Sequence, residues 1–266
     1  MKKNIISISG IFLLLVVLVL IGGASKKEAS GRFIWNTLHT PHLALLVYEN
    51  DALSFDIGNY YFNATGSGVY NQEKAKKYFE KTIALNPGHE FARHQLARIY
   101  FLRGNFEEAL GVINTQIEKN GTVVPSSYYV RGLIYGFSGS LDSAEKDFLH
   151  FISIKDKNWG GYNDVAWIYF QKGEYEQARL YAEKGLQLAP ESSWLLTTYG
   201  VALMNLGEYE DAVANLKKAR SIADALEPGA WSQANPGNDP RIAEEGLSKM
   251  KEIIKENLMI AEGKLQ

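Results

Sequence analysis

An all-α fold, a stack of helix pairs closed by a C-terminal capping helix, is predicted by three features of this sequence. A small residue recurs as Ala75, Ala109, Ala144, Ala178 and Ala212, at intervals of 34, 35, 34 and 34 residues. A glycine stands five positions before the last four of these, at Gly104, Gly139, Gly173 and Gly207. The stretch "IYFLRGNFEEA" at 99–109 is nearly rewritten as "IYFQKGEYEQA" at 168–178. A fixed period of about 34 residues marks a helix–turn–helix unit that cannot bury its apolar face alone and stacks on its neighbours.

Composition excludes several classes of function. With 28 basic and 30 acidic residues among 266, the chain has no global field that would gather nucleic acid, and no nucleic-acid partner is expected. Cysteine is absent, which removes disulfides, thiolate metal sites and thiol catalysis.

The elements are taken in chain order. Residues 1–24 open with Lys2 and Lys3, continue as an apolar run from Ile5 to Ile21, and end in Gly22-Gly23-Ala24 before Lys26 and Lys27. As a helix, Ile5 to Gly23 is roughly 28 Å long, enough to cross a hydrocarbon core. An uncleaved anchor is expected, with the bulk of the chain outside the cytoplasm. The alternative is a signal peptide cleaved at the small residues, which releases the chain as a secreted protein. Residues 25–40 read as a linker. Thr40 as cap and Pro41 at the first helical position start a helix that is expected to run unbroken into the first unit.

The repeat domain is assigned to 41–225, with units at 51–87, 90–121, 125–156, 159–190 and 193–224. Twelve positions before the recurrent alanines stand Ala97, Gly132, Ala166 and Gly200, and three positions further on Tyr100, Tyr135, Tyr169 and Leu203. Close approach of two antiparallel helices calls for small residues at the contact, so these Ala and Gly positions are expected to face the alanines of the second helix. Gly104 is expected to be left-handed at the end of its helix, with Asn105 and Glu108 as an N-x-x-E start for the next. Pro87 and Pro190 end second helices because proline donates nothing to the helical ladder.

These columns resemble the tetratricopeptide repeat family, which asks for a bulky residue, then Leu, Gly or Ala, Tyr, Ala, an aromatic, Ala and Pro. The fourth unit carries the pattern as Tyr162, Val165, Ala166, Tyr169, Gly173, Tyr175, Ala178, Ala182 and Pro190. The match covers about 52–225. It implies a right-handed superhelical solenoid of about five units. In the first unit "NATGSGVYNQ" lengthens the turn before Ala75. Arg131 stands in place of a leucine-like residue, and Phe151 and Gly185 replace small and alanine-like ones, so local packing there departs from the family. After the last unit, 226–240 reads as an irregular loop. Asp239 and Pro240 start a final helix at 241–265, whose Ala243, Leu247, Met250, Ile254 and Ala261 recur near helical spacing and form a capping face.

Catalytic chemistry has little support. His39 and His42 form H-x-x-H with Pro41 between them and no third ligand, while His89, His94 and His150 bring no partner. No nucleophile elbow or phosphate loop is present, and no cofactor or metal is expected. Asn63 and Asn120 begin N-x-T triplets.

In the family, first helices line a concave groove through the second, fifth, ninth and twelfth positions of each unit. That resemblance points to Phe55, Asn59 and Phe62, then Phe91, His94, Arg98 and Phe101, then Tyr129, Leu133 and, one place on, Phe137. It adds Asn163, Trp167 and Phe170 in the fourth unit, and Trp194, Thr197 and Met204 in the fifth. The family's carboxylate-gripping set is present only at Asn59. An aromatic groove suits an amphipathic helix or an extended peptide with bulky anchors. The expectation is a non-enzymatic, membrane-tethered scaffold that binds a protein or peptide, in envelope, secretion or pilus assembly. The alternatives are a self-associating structural array without peptide capture and, with least support in the residues, a metal-dependent enzyme. The oligomeric state is not set by the sequence.

Overall fold

The computed structural model describes residues 23–63, 69–234 and 243–266. The apolar run 5–21, part of the long first-unit turn and the Asp239-Pro240 start lie outside the described residues. The described chain is helical throughout and contains no strand. It falls into two compact units, one built from residues up to Phe62 together with Asn71–Ala92, the other from Asn63–Tyr70 with Arg93–Gln266.

The first unit holds α1 (Ala24–Leu38), α2 (Pro41–Val47), α3 (Asp51–Phe62) and α4 (Gln72–Leu85). Two expectations fail here. The linker is a helix, α1, which buries Ser30, Gly31, Ile34 and Trp35. The run from Pro41 into the first repeat is broken at residues 48–50, because Asn50 caps a new helix: its Oδ1 accepts the Leu53 N–H at 2.8 Å and its carbonyl accepts from the Ser54 hydroxyl. Gly31 permits the α1–α2 contact, since a Cβ there would lie 2.8 Å from the Cβ of Tyr48.

The second unit holds α5 (Ala92–Leu102), α6 (Phe106–Asn120), α7 (Ser126–Phe137), α8 (Leu141–Ile154), α9 (Trp159–Gln171), α10 (Tyr175–Leu188), α11 (Ser193–Leu206) and α12 (Tyr209–Asp224). Each pair turns in the same way. Gly104, Gly139, Gly173 and Gly207 all have φ between 73 and 86°, where an L side chain is strained. Two backbone bonds close each turn. The glycine N–H donates to the carbonyl three residues back, and the next N–H donates to the carbonyl of Tyr100, Tyr135, Tyr169 or Leu203. Asn105 sits at the start of α6, but its side chain makes no capping bond. Side-chain caps occur instead at Asn71, Asn158 and Ser192.

The small columns work differently from the expectation. A Cβ on Gly58 would meet the Phe79 ring at 2.6 Å, one on Gly132 the Phe148 ring at 2.7 Å, and one on Gly200 the Leu216 side chain at 2.8 Å. The glycine thus makes room for the large residue one turn beyond the alanine of the second helix, rather than for that alanine. The unorthodox late positions are compensated in the same way. Phe151 and Ile152 press on Gly161 of the next unit, and Leu195 presses on Gly185.

Arg131, in place of a leucine, bonds Asp147 with both Nε and Nη2 at 2.6 and 2.8 Å and donates to Asn114 at 2.9 Å. It also lies over the rings of Tyr128 and Tyr135. This planar, bidentate pair ties α6, α7 and α8 together.

Beyond α12, the expected irregular loop contains a short helix, α13 (Pro228–Ala234), followed by α14 (Ala243–Gly263). Leu258 and Ala261 cover Leu203, Ala212, Val213 and Leu216, while Ile254 covers Leu196, Ala219 and Ala223. α14 thereby caps the last repeat. Among the described residues no helix is long and apolar enough to cross a membrane.

Candidate functional site

The sequence-predicted residues sort into three environments. In the first unit, Phe55 stacks on His89 at 4.5 Å, on Phe79 at 5.6 Å and on Phe91 at 6.5 Å, and Asn59 is half-buried beside it on α3. His89 serves the backbone, since its Nδ1 accepts the N–H groups of Phe91 and Ala92. Phe62 is buried against Phe79 and is not on a ligand face. His39 stacks on Tyr60 and meets the edge of Trp35. Asn120 is only 8% exposed, so its N-x-T triplet is not displayed to solvent.

In the second unit the first helices α5, α7 and α9 bring Phe101, Phe137 and Trp167 into a ladder, with 5.4 Å between successive ring centroids. Phe137 is 59% exposed, the most open rung, and Phe101 and Trp167 are half-buried. Gly136 makes the ladder possible, because a Cβ there would lie 2.9 Å from the Trp167 ring. Phe170 leans on Tyr175 at 5.6 Å, and Leu133 packs on the core around Phe148.

A polar row runs beside the ladder. Tyr129 on α7 donates to Asp164 Oδ2 on α9 at 2.6 Å, and Asn163 donates to Asp164 Oδ1 at 3.4 Å. Thr198 on α11 donates to Asn163 Oδ1 at 3.0 Å. Arg98 on α5 donates to Gln95. Burial raises the Asp164 carboxyl to about 6 against the pull of its two donors. Burial and the Asp164 charge push the Tyr129 phenol well above its ordinary range, and burial lowers the Arg98 guanidinium.

Several predicted groove residues turn inward. His94 is buried with its Nδ1 3.1 Å from the Ser127 hydroxyl, and burial with the Arg98 charge lowers its pKa to about 3, so it is neutral at physiological pH. Trp194 packs with Trp231, Ala243 and Leu247, and lies 6.3 Å from Trp159. Thr197 spends its hydroxyl on the carbonyl of Ser193, and Met204 packs beside Leu203. Family register misses Asp164, which follows the position it selects. One sequence signal was present: Asp164 is the only charged residue of the thirteen in α9.

This arrangement offers an aromatic surface, open at Phe137, with hydrogen-bonding groups beside it. Models described as tetratricopeptide repeat match residues 72–124, 125–158 and 169–228, more than half of the chain. The chain belongs to the tetratricopeptide repeat family. Its fold is similar to a MamA protein from Desulfovibrio magneticus, with TM-score 0.59 and 13% identity over 67% of this chain and 98% of that one. It is similar also to YrrB, whose structure is described as having an unusual peptide-binding site, with TM-score 0.55 and 14% identity over 72% and 96% of the two chains. Among curated proteins it is 27% identical to the BBSome complex member BBS4 of Bos taurus over 55% of this chain and 28% of that one. It is likewise 27% identical to human tetratricopeptide repeat protein 6, over 51% and 25% of the two chains. The chain thus matches only about a quarter of the length of these curated relatives. At such identities the solved structures bear on the fold alone.

Proposed function

We propose that this chain is a non-enzymatic scaffold that captures a helix or extended peptide of a partner protein on the first-helix face of its second unit. The observation that carries the reading is the Phe101–Phe137–Trp167 ladder, three aromatic rings in contact across three successive repeats with the central ring exposed. Aromatic anchors of this kind dominate interface energies because they bury much area at little entropic cost. The apolar run Ile5–Ile21 is read as a membrane tether that holds the repeats outside the cytoplasm, within an envelope, secretion or pilus assembly.

The test is photo-crosslinking from position 137 of the full chain in its native cell. A single dominant crosslinked protein is expected, and its yield should fall at least tenfold in Trp167→Ala while the repeat domain still unfolds cooperatively. Equal crosslinking in that variant would remove the ladder from the binding surface.

A further inference from the structure

The polar row beside the ladder holds a carboxylate without a counter-charge. Hydrogen bonds reach Asp164 from Tyr129 and Asn163, and no cation among the described residues pairs with it. Arg98, the cation of the same row, is directed at Gln95 and interacts with Tyr70 and Tyr129. A buried charge ordinarily persists only when it is paired, and burial here lifts the carboxyl well above the usual carboxylate range. A carboxylate accepts at about four lone-pair sites, and here two donors are present, one of them at a long 3.4 Å. Asp164 is half-buried as a residue, so it is not sealed in the core as Asp147 is. It lies three residues before Trp167 on α9, a spacing that puts both side chains on one face of the helix.

We propose that Asp164 receives a basic side chain of the captured partner, an arginine or lysine that lies next to a bulky apolar residue seated against Phe137 and Trp167. This inference rests on the reading of the first-helix face as a peptide-binding surface and specifies its partner by charge complementarity. The incoming N–H groups donate to Oδ1 and to the remaining lone pair of Oδ2, and Tyr129 keeps its bond. The recognised segment therefore combines one cation with a Trp, Phe, Leu or Ile close to it in space.

The experiment uses the full chain in detergent on an array of acetylated, amidated nine-residue peptides. Two positions are randomised among Trp, Phe, Leu and Ile, and a third holds arginine, lysine, citrulline, glutamine or glutamate. Arginine and lysine peptides should bind about tenfold or more tightly than their citrulline and glutamine counterparts, the scale of one charge-assisted contact. Asp164→Asn should abolish that preference and leave the apolar selection intact. Citrulline keeps the shape of arginine without its charge, so this comparison is decisive on the native chain even where the variant fails to fold. Peptides that bind through Trp167 without preference for a cation overturn the assignment and leave the peptide-binding reading standing. A preference that survives in folded Asp164→Asn also overturns it. An array on which no peptide binds above background overturns both.

Discussion

Two aspartates of the second unit, seventeen positions apart, stand in opposite electrostatic settings. Asp147 lies in the seam between α7 and α8, 3% exposed, gripped by two nitrogens of Arg131. Asp164 lies between α7 and α9 on the first-helix face, held by a phenol and an amide and, among the described residues, by no cation. The first is a closed account of charge: Arg131 is raised in pKa by its bonds to Asp147 and is flanked by Tyr128 and Tyr135. The second is open, with its carboxyl raised to about 6. Structural ion pairs neutralise themselves, whereas perturbed and unpaired groups concentrate where a ligand completes them. The contrast assigns the stability of the array to its seams and supports the proposed reading of the ladder face as the binding surface.

The largest effect is expected at the closed pair. Asp147→Ala leaves the Arg131 guanidinium among Tyr128, Tyr135 and Asn114 without its carboxylate, and should lower stability by about 3–5 kcal/mol. Thermal or urea unfolding measures it. Replacing both partners, with Arg131→Met and Asp147→Leu together, should recover most of that loss, to within about 1 kcal/mol of the native chain. A double variant as unstable as the single one would mean that the pair has a role beyond filling the seam.

A smaller effect is expected at Tyr129. Tyr129→Phe keeps the ring against Phe148 and Phe151 and removes only the donor to Asp164. Loss of a hydrogen bond to a charged group should cost about 1.5–2 kcal/mol at pH 7.5. The cost should shrink as the pH falls below 6 and Asp164 takes up its proton. A pH-independent loss would assign the hydroxyl to packing rather than to the carboxylate.

The stack of helix pairs was legible in the sequence because its columns obey local rules. Gly104, Gly139, Gly173 and Gly207 had to be left-handed for helices to end there, and all four are. Pro87 and Pro190 follow α4 and α10 closely, and the periodic face of 243–261 does cover the last repeat. What was not legible depends on which groups meet across helices. The Arg131–Asp147 pair joins residues on different helices, and no spacing rule links them. Gly132 gives no sign that its neighbour is Phe148 rather than Ala144. Asn50 and Asn105 are chemically alike, yet only Asn50 caps the helix that follows it with its side chain, so composition alone does not separate a cap from a turn residue. Of the candidate site, the ladder residues Phe101 and Trp167 fall in the family register, and Phe137 stands one place off it. His94 and Trp194 share that register but are turned inward by Ser127 and by the C-terminal helices, which the register does not contain.

The smallest effect tests the open aspartate itself, and its sign is opposite to that at Asp147. The Asp164 carboxyl titrates near 6 in the folded chain against 3.8 for its ordinary value, so the folded state binds the proton more tightly. Its contribution to stability is fully present below about 3.8 and is lost as the pH rises through 6, which leaves the charged form a liability at neutral pH. Asp164→Asn removes the charge and keeps an acceptor for Tyr129. It should stabilise the chain by about 1 kcal/mol at pH 7.5, a partial recovery of the desolvation cost because Asp164 is only half-buried as a residue. The gain should fade between pH 6 and pH 4, where the native carboxyl is itself neutral. Urea unfolding of both chains at the two pH values decides it. A variant less stable than the native chain at pH 7.5 would show that the carboxylate is already well compensated without a partner, and Asp164 would then belong with Asp147 among the groups that hold the fold.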